Sequence, residues 1–134
     1  MGKAISTNAL DAALDYIANR AVLMALCAGA PVTAGDASTL VSGGGNMLAS
    51  LALTPGSGGD DFALAPGTVA GRRLVVSAQA AVAIVEAGVI DHLALVDTQG
   101  GELLVLTELT ETQIVSAGEI ISVKSFGGEI VPPV

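Results

Sequence analysis

His92-Leu93-Ala94-Leu95-Val96, followed by Asp97-Thr98-Gln99-Gly100-Gly101 and a second apolar run over residues 102–109, is the passage that decides the fold. The two runs are rich in strand-forming side chains, and the glycines between them can take the positive φ angles that a hairpin loop requires. A polar break, Thr110-Glu111-Thr112-Gln113, leads to Ile114-Val115 and a Ser116-Ala117-Gly118 turn. A last run over residues 119–126 carries β-branched Ile120, Ile121 and Val123. Strand, turn, strand, turn, strand across residues 90–130 predicts antiparallel sheet. Within the second run, Leu104 and Leu106 are two residues apart and are expected to share a buried face, with Glu102 and Glu108 at its wetter ends.

Working outward, Asn8 is positioned to cap a helix in which Leu10, Ala13, Leu14 and Ile17 fall on one face while Asp11, Asp15 and Asn19 take the other. That helix is expected to end near Arg20, where a cation suits the negative end of the dipole. Residues 21–28 are continuously apolar and short, a strand buried on both faces, bounded by Gly29-Ala30-Pro31. Residues 33–40 are ambiguous, with a helical turn as one option, and Gly43-Gly44-Gly45-Asn46 breaks the chain. Residues 47–54 read as a strand with Leu51 and Leu53 on one face, and residues 55–61 are the most loop-like passage. Phe62-Ala63-Leu64-Ala65 precedes a turn at residues 66–71. A strand opened by Arg72-Arg73 follows over residues 72–77. Residues 78–86 are assigned to strand on Val82, Ile84 and Val85, although their alanines would also suit a helix. Ile130 finishes the last strand before Pro132-Pro133. The expectation is one domain over residues 1–134, mainly β: an antiparallel β-sandwich or jelly-roll-like domain with one N-terminal α-helix at about 8–20 and strands from about 21 to 131.

Composition bounds the function. The 134 residues suffice for one core, but 51% are hydrophobic and only 13% charged, with a mean hydropathy of +0.70. So little charge cannot dress a whole surface, which predicts a homo-oligomer whose subunits cover one another's apolar patches. Abundant Ala and Gly offer a blander account of the same count. A net charge of −8, with Lys3, Arg20, Arg72, Arg73 and Lys124 the only Lys and Arg, argues against nucleic acid, whose affinity comes from neutralised phosphates. No apolar run approaches the roughly 20 residues of a spanning helix. The first residues lack the apolar block of a secretory signal, so synthesis and folding in the cytoplasm is expected. Cys27 is the sole cysteine; it cannot form an internal disulfide, and its apolar setting reads as a buried small hydrophobe.

Candidate chemistry is thin, and the expectation is a protein that is not an enzyme: no catalytic, cofactor or metal residue is assigned and no cofactor is implied. His92 follows Asp91, but neighbours on a strand point to opposite faces, so the two are not by themselves an acid-base pair. One Cys and one His cannot close a zinc site of the usual kind within one chain. Asp60-Asp61 could offer oxygens to calcium, yet lack a spaced ligand ladder and read better as a solvated loop tip. Gly43-Gly44-Gly45 lacks the Lys-Ser or Lys-Thr of a phosphate loop. Arg72-Arg73 suit local ion pairs or an interface contact.

Several phrases taken in order resemble a family of small virion structural proteins of tailed bacteriophages. They are Asp11-Ala12-Ala13-Leu14-Asp15-Tyr16-Ile17, Leu26-Cys27-Ala28-Gly29-Ala30-Pro31, Gly71-Arg72-Arg73, Asp91-His92-Leu93-Ala94-Leu95-Val96-Asp97 and the terminal residues 126–133, in which Gly127-Gly128 interrupts the more usual apolar end. The resemblance implies a non-enzymatic particle component assembled in the host cytoplasm and located in the virion. The reading taken from it is a capsid decoration or cement subunit whose partners are other copies of itself, as a trimer if it sits on capsid three-fold positions, and the major capsid protein. A tail, collar or fibre-associated subunit is the structural alternative. A host-surface or glycan-binding module is the alternative of another class, disfavoured by the scarcity of aromatics: Tyr16, Phe62 and Phe126 only.

Overall fold

A computed structural model describes residues 7–56, 61–66 and 72–130. With 51% of the described residues in strands and 18% in helix, the chain is mainly β, its sheets are antiparallel, and its main helix lies near the N-terminus, as expected. The described residues fold as two compact units, each built from separated segments: those within 7–20, 54–78 and 124–130 in one, and those within 21–53 and 79–123 in the other.

The first unit holds helix α1 (Thr7–Arg20) and a three-stranded sheet. Strand β3 (Phe62–Pro66) pairs with β4 (Arg72–Val76), which pairs in turn with β9 (Phe126–Ile130). α1 starts one residue ahead of the expected cap, Asn8. Its buried side chains are Leu10, Leu14 and Ala18, with Ile17 half-buried and Ala13 exposed, so the stripe is narrower than the apolar spacing implied. α1 lies against β3 and β4. The alternation there is plain, with Phe62, Leu74 and Val76 buried and Ala63 and Arg73 exposed. The Ile130 end of β9 pairs with Arg72; Pro132 and Pro133 lie outside the described residues.

The second unit is organised on a sheet of order β2-β1-β6-β7, comprising β1 (Leu23–Cys27), β2 (Met47–Ala52), β6 (Gly88–Asp97) and β7 (Glu102–Val115). β1 and β6 are its inner strands, and Met24 to Cys27 and Leu93 to Val96 are buried throughout, which is why both read as unbroken apolar runs. Register places Leu23, Ala25 and Cys27 on one face with Val96, Ala94 and His92. Helix α2 (Ala34–Ser38) packs on that face, its Ala34 and Ala37 clustering with Ala25, Cys27, Ala94 and Val96. Small side chains on both partners bring helix and sheet close together. The ambiguous residues 33–40 therefore contain a helix, fixed by a capping box in which Thr33 Oγ1 accepts from Asp36 N at 3.1 Å and Asp36 Oδ2 accepts from Thr33 N at 3.3 Å. Met24, Leu26, Leu93 and Leu95 are buried on the opposite face. Each such leucine is worth about 1.5–3 kcal/mol of burial.

The β6–β7 hairpin turns where the glycines predicted it. Asp97, only 5% exposed, accepts hydrogen bonds from Gln99 N at 3.0 Å and Gly100 N at 2.9 Å. Its carboxylate thereby satisfies the turn from inside.

Four expectations need correction. The polar residues 110–113 do not break the second run, since β7 continues through them to Val115. The run over residues 119–126 is not one strand: β8 (Ile120–Val123) breaks at Lys124-Ser125 before β9. Nor does β8 extend the sheet of its neighbours, since it pairs with β5 (Gln79–Ala83). Leu104 and Leu106 do not share a core face either. The register with β6 slips between Val105 and Leu103, so that Leu104 is an extra residue in the strand; it is half-buried, and Leu106 is 40% exposed. A bulge of this kind reverses the parity on which simple alternation depends.

Candidate functional site

Two places in the second unit bring chemistry or surface together. The first lies at the end of β1. Cys27 sits opposite Met47 on one side and His92 on the other. Beyond it Ala28 N donates to Asn46 O at 2.8 Å and Asn46 Nδ2 donates to Ala28 O at 2.9 Å. The chain then bends at Gly29, whose φ of 81° is one that other residues adopt only with strain. The bend delivers Gly29 N to Asp91 Oδ1 at 2.7 Å.

Asp91 is available because the β6–β7 register slips at that position. Ile90 opposes Gln113 and His92 opposes Glu108, so residues 109–112 of β7 stand against Asp91 alone. Released from the ordinary ladder, the same carboxylate oxygen meets Nδ1 of its neighbour, His92, at 2.8 Å. The alternation rule had separated these two side chains; the bulge joins them. The hydrogen bond from His92 holds the Asp91 carboxyl below its ordinary range, burial opposes that shift, and the Gly29 N–H reinforces it.

Cys27, His92 and Asp91 thus stand in the order of a nucleophile, a base and a group that orients the base. The chemistry runs the other way. Cys27 is fully buried, and burial, with the nearby Asp91 charge, pushes its thiol up to about 11, whereas an activated thiol is lowered and reachable. The arrangement acts as a clasp that ties the Gly29 turn to β6. Among the described residues no group of three His, Cys, Asp or Glu side chains could hold a metal ion.

The second place is β7, an end strand of its sheet. Leu106 is 40% exposed and Ile114 81%. Ile114 stands opposite Val89, itself exposed, so the two make an apolar pair on the surface. The run of residues 103–109, Leu-Leu-Val-Leu-Thr-Glu-Leu, was the signal for such a surface, because it carries one charge and no Lys, Arg or Pro.

The remaining candidates have local roles. Asp61 Oδ2 accepts from Thr54 N at 2.7 Å, and Asp61 O accepts from Ser77 N at 2.8 Å; Asp60 lies outside the described residues. Arg72 Nε donates to Asp11 Oδ1 at 2.6 Å, an ion pair of the kind anticipated, while Arg73 is exposed. Gly43 closes a short 3-10 turn, Val41–Gly43, followed by Gly44 at φ 92°, which agrees with reading the glycines as a turn. No helix among the described residues is long and apolar enough to cross a membrane. Compared with protein-family models, curated proteins and solved structures, the chain matches none.

Proposed function

We propose that this chain is a non-enzymatic virion structural protein of a tailed bacteriophage, acting as a capsid decoration subunit that binds the assembled head. The observation that carries the reading is the combination of a mainly β chain of low charge with apolar side chains, Leu106 and Ile114 of the end strand β7 and Val89 of the adjoining β6, exposed on the surface. The phrases that resemble virion proteins support it from the sequence side. Mechanism in this reading is passive: a subunit that binds only the assembled shell stabilises that shell by mass action. Its partners are further copies of itself and the major capsid protein.

Purified particles from a host carrying the gene test the reading. A mass-spectrometric census should find the chain in a fixed ratio to the major capsid protein, and particles lacking it should lose heat resistance that added protein restores. Copies confined to tail fractions would move it to the tail, collar or fibre. Absence from particles would overturn the virion assignment.

A further inference from the structure

We infer that residues 28–46, the connection from β1 to β2, form a flap that opens as one body about its neck while the sheet beneath stays paired. The inference concerns the chain alone and is independent of the virion assignment.

The neck is closed by the two hydrogen bonds between Ala28 and Asn46 and by Met47 N donating to Thr39 O at 3.0 Å. Glycines flank it, Gly29 at φ 81° on one side and Gly43, Gly44 and Gly45 on the other, which lets the backbone bend there at small cost. Beyond the neck the flap is bonded to itself. The Thr33–Asp36 capping box holds α2, Asn46 N donates to Asp36 O at 2.8 Å, and Gly45 N donates to Leu40 O at 3.1 Å. None of these internal bonds has to break when the flap moves as a body.

Its attachment to the sheet is slight. The buried side chains of the flap are Pro31, Ala34 and Ala37, while its larger apolar groups Val32 and Val41 face water. Uncovering an alanine gives back little apolar area. Two carboxylates supply the remaining grip: Asp91 Oδ1 of β6 accepts from Gly29 N at 2.7 Å, and Glu86 Oε1, just after β5, accepts from Ser42 N at 3.0 Å. Among the described residues no other hydrogen bond or ion pair joins residues 29–45 to β5, β6 or β7. Both pins reach water, since the Asp91 side chain is 33% exposed and the Ser42–Glu86 bond lies at the surface. Few buried apolar contacts and solvent-exposed bonds are the marks of a segment that opens below the free energy of global unfolding. The strands underneath have the opposite character, with Met24 to Cys27 and Leu93 to Val96 buried throughout. Opening of the flap uncovers Ala25, Ala94 and Val96, the small side chains on which α2 rests.

Amide hydrogen exchange of the purified protein, followed residue by residue by NMR, tests the flap. The Gly29 and Ser42 amides should exchange through an opening that low urea leaves unchanged, whereas the Leu26 amide of β1 should follow the urea dependence of global unfolding. Glu86→Ala should speed exchange at Gly29, and Asp91→Ala at Ser42, each by about fivefold or more, the change expected from losing one modest hydrogen bond. Fraying of separate ends would accelerate only the amide whose own acceptor was removed. Leu95→Ala, on the opposite face of the sheet, should speed exchange at Leu26 and leave Gly29 and Ser42 as they were. A urea dependence at Gly29 and Ser42 equal to that at Leu26, a response to each pin substitution confined to its own end, or acceleration of both pinned amides by Leu95→Ala would each overturn the inference.

Discussion

Removing the carboxylate of Asp91 tests the clasp at the end of β1. In Asp91→Ala, Gly29 N loses its acceptor at 2.7 Å and His92 Nδ1 loses its partner at 2.8 Å. Hydrogen bonds to a charged group contribute about 1.5–3 kcal/mol each when well shielded. The Asp91 side chain is 33% exposed, so water replaces part of both, and a loss of about 1–3 kcal/mol in all is expected. Asp91→Asn, which keeps an acceptor for Gly29 N but not the charge, should lose less. Urea unfolding followed by far-ultraviolet circular dichroism measures both, with an unchanged slope showing that the unfolded surface is the same. The pH dependence has a definite sign. The folded protein holds the Asp91 carboxyl below its ordinary value of 3.8. Its contribution is therefore fully present above that value and is lost as pH falls through the lower, folded one. The gap between wild type and Asp91→Ala should close in acid. A gap below about 0.5 kcal/mol at neutral pH, the usual size for an inconsequential surface change, or one that persists undiminished into strong acid, would refute the clasp.

Leu95→Ala, at a site 1% exposed, should cost about 2–5 kcal/mol in unfolding free energy, whereas Ile114→Ala, at a site 81% exposed, should stay within about 0.5 kcal/mol. Thr33→Ala removes the oxygen that accepts from Asp36 N and should destabilise by about 1 kcal/mol, seen as a lower melting temperature. Gly45→Ala should lower the melting temperature further than Gly44→Ser does, because a Cβ on Gly45 would collide with the Thr39 carbonyl while one on Gly44 meets only open space. Gly44 still carries the cost of its positive φ, so equal melts for the two would argue against the tight approach at Thr39.

What was legible in the sequence is what nearest neighbours determine. The Asp97 to Gly101 turn follows from glycines and an acid that bonds its own backbone, and β1 and the Leu93 to Val96 part of β6 follow from runs with no polar residue to face water. Pairing between distant strands left no such trace: nothing local in residues 120–123 distinguishes pairing with β5 from pairing with β7. Bulges are the other gap. A single extra residue at Leu104 costs little in the strand itself but shifts every side chain beyond it, so the expected core position of Leu106 became a surface one. The same blindness hid the contact between Asp91 and His92, which exists only because residues 109–112 fail to match β6. The exposed Ala13, by contrast, shows the limit of helical periodicity. The spacing marks a face, but the width of the buried strip depends on how closely the sheet approaches.

The solitary sulfhydryl of Cys27, fully buried on an inner strand of its sheet, gives the molecule an internal clock. A water-soluble aromatic disulfide cannot reach it while β1 is held between β2 and β6, and its protonated form reacts poorly even when reached. The labelling rate at mildly alkaline pH therefore counts how often that part of the chain opens, and its dependence on denaturant separates local fraying from complete unfolding. Because the chain contains no tryptophan, and so lacks the usual fluorescence signal, this thiol is the natural handle for following the sheet in real time.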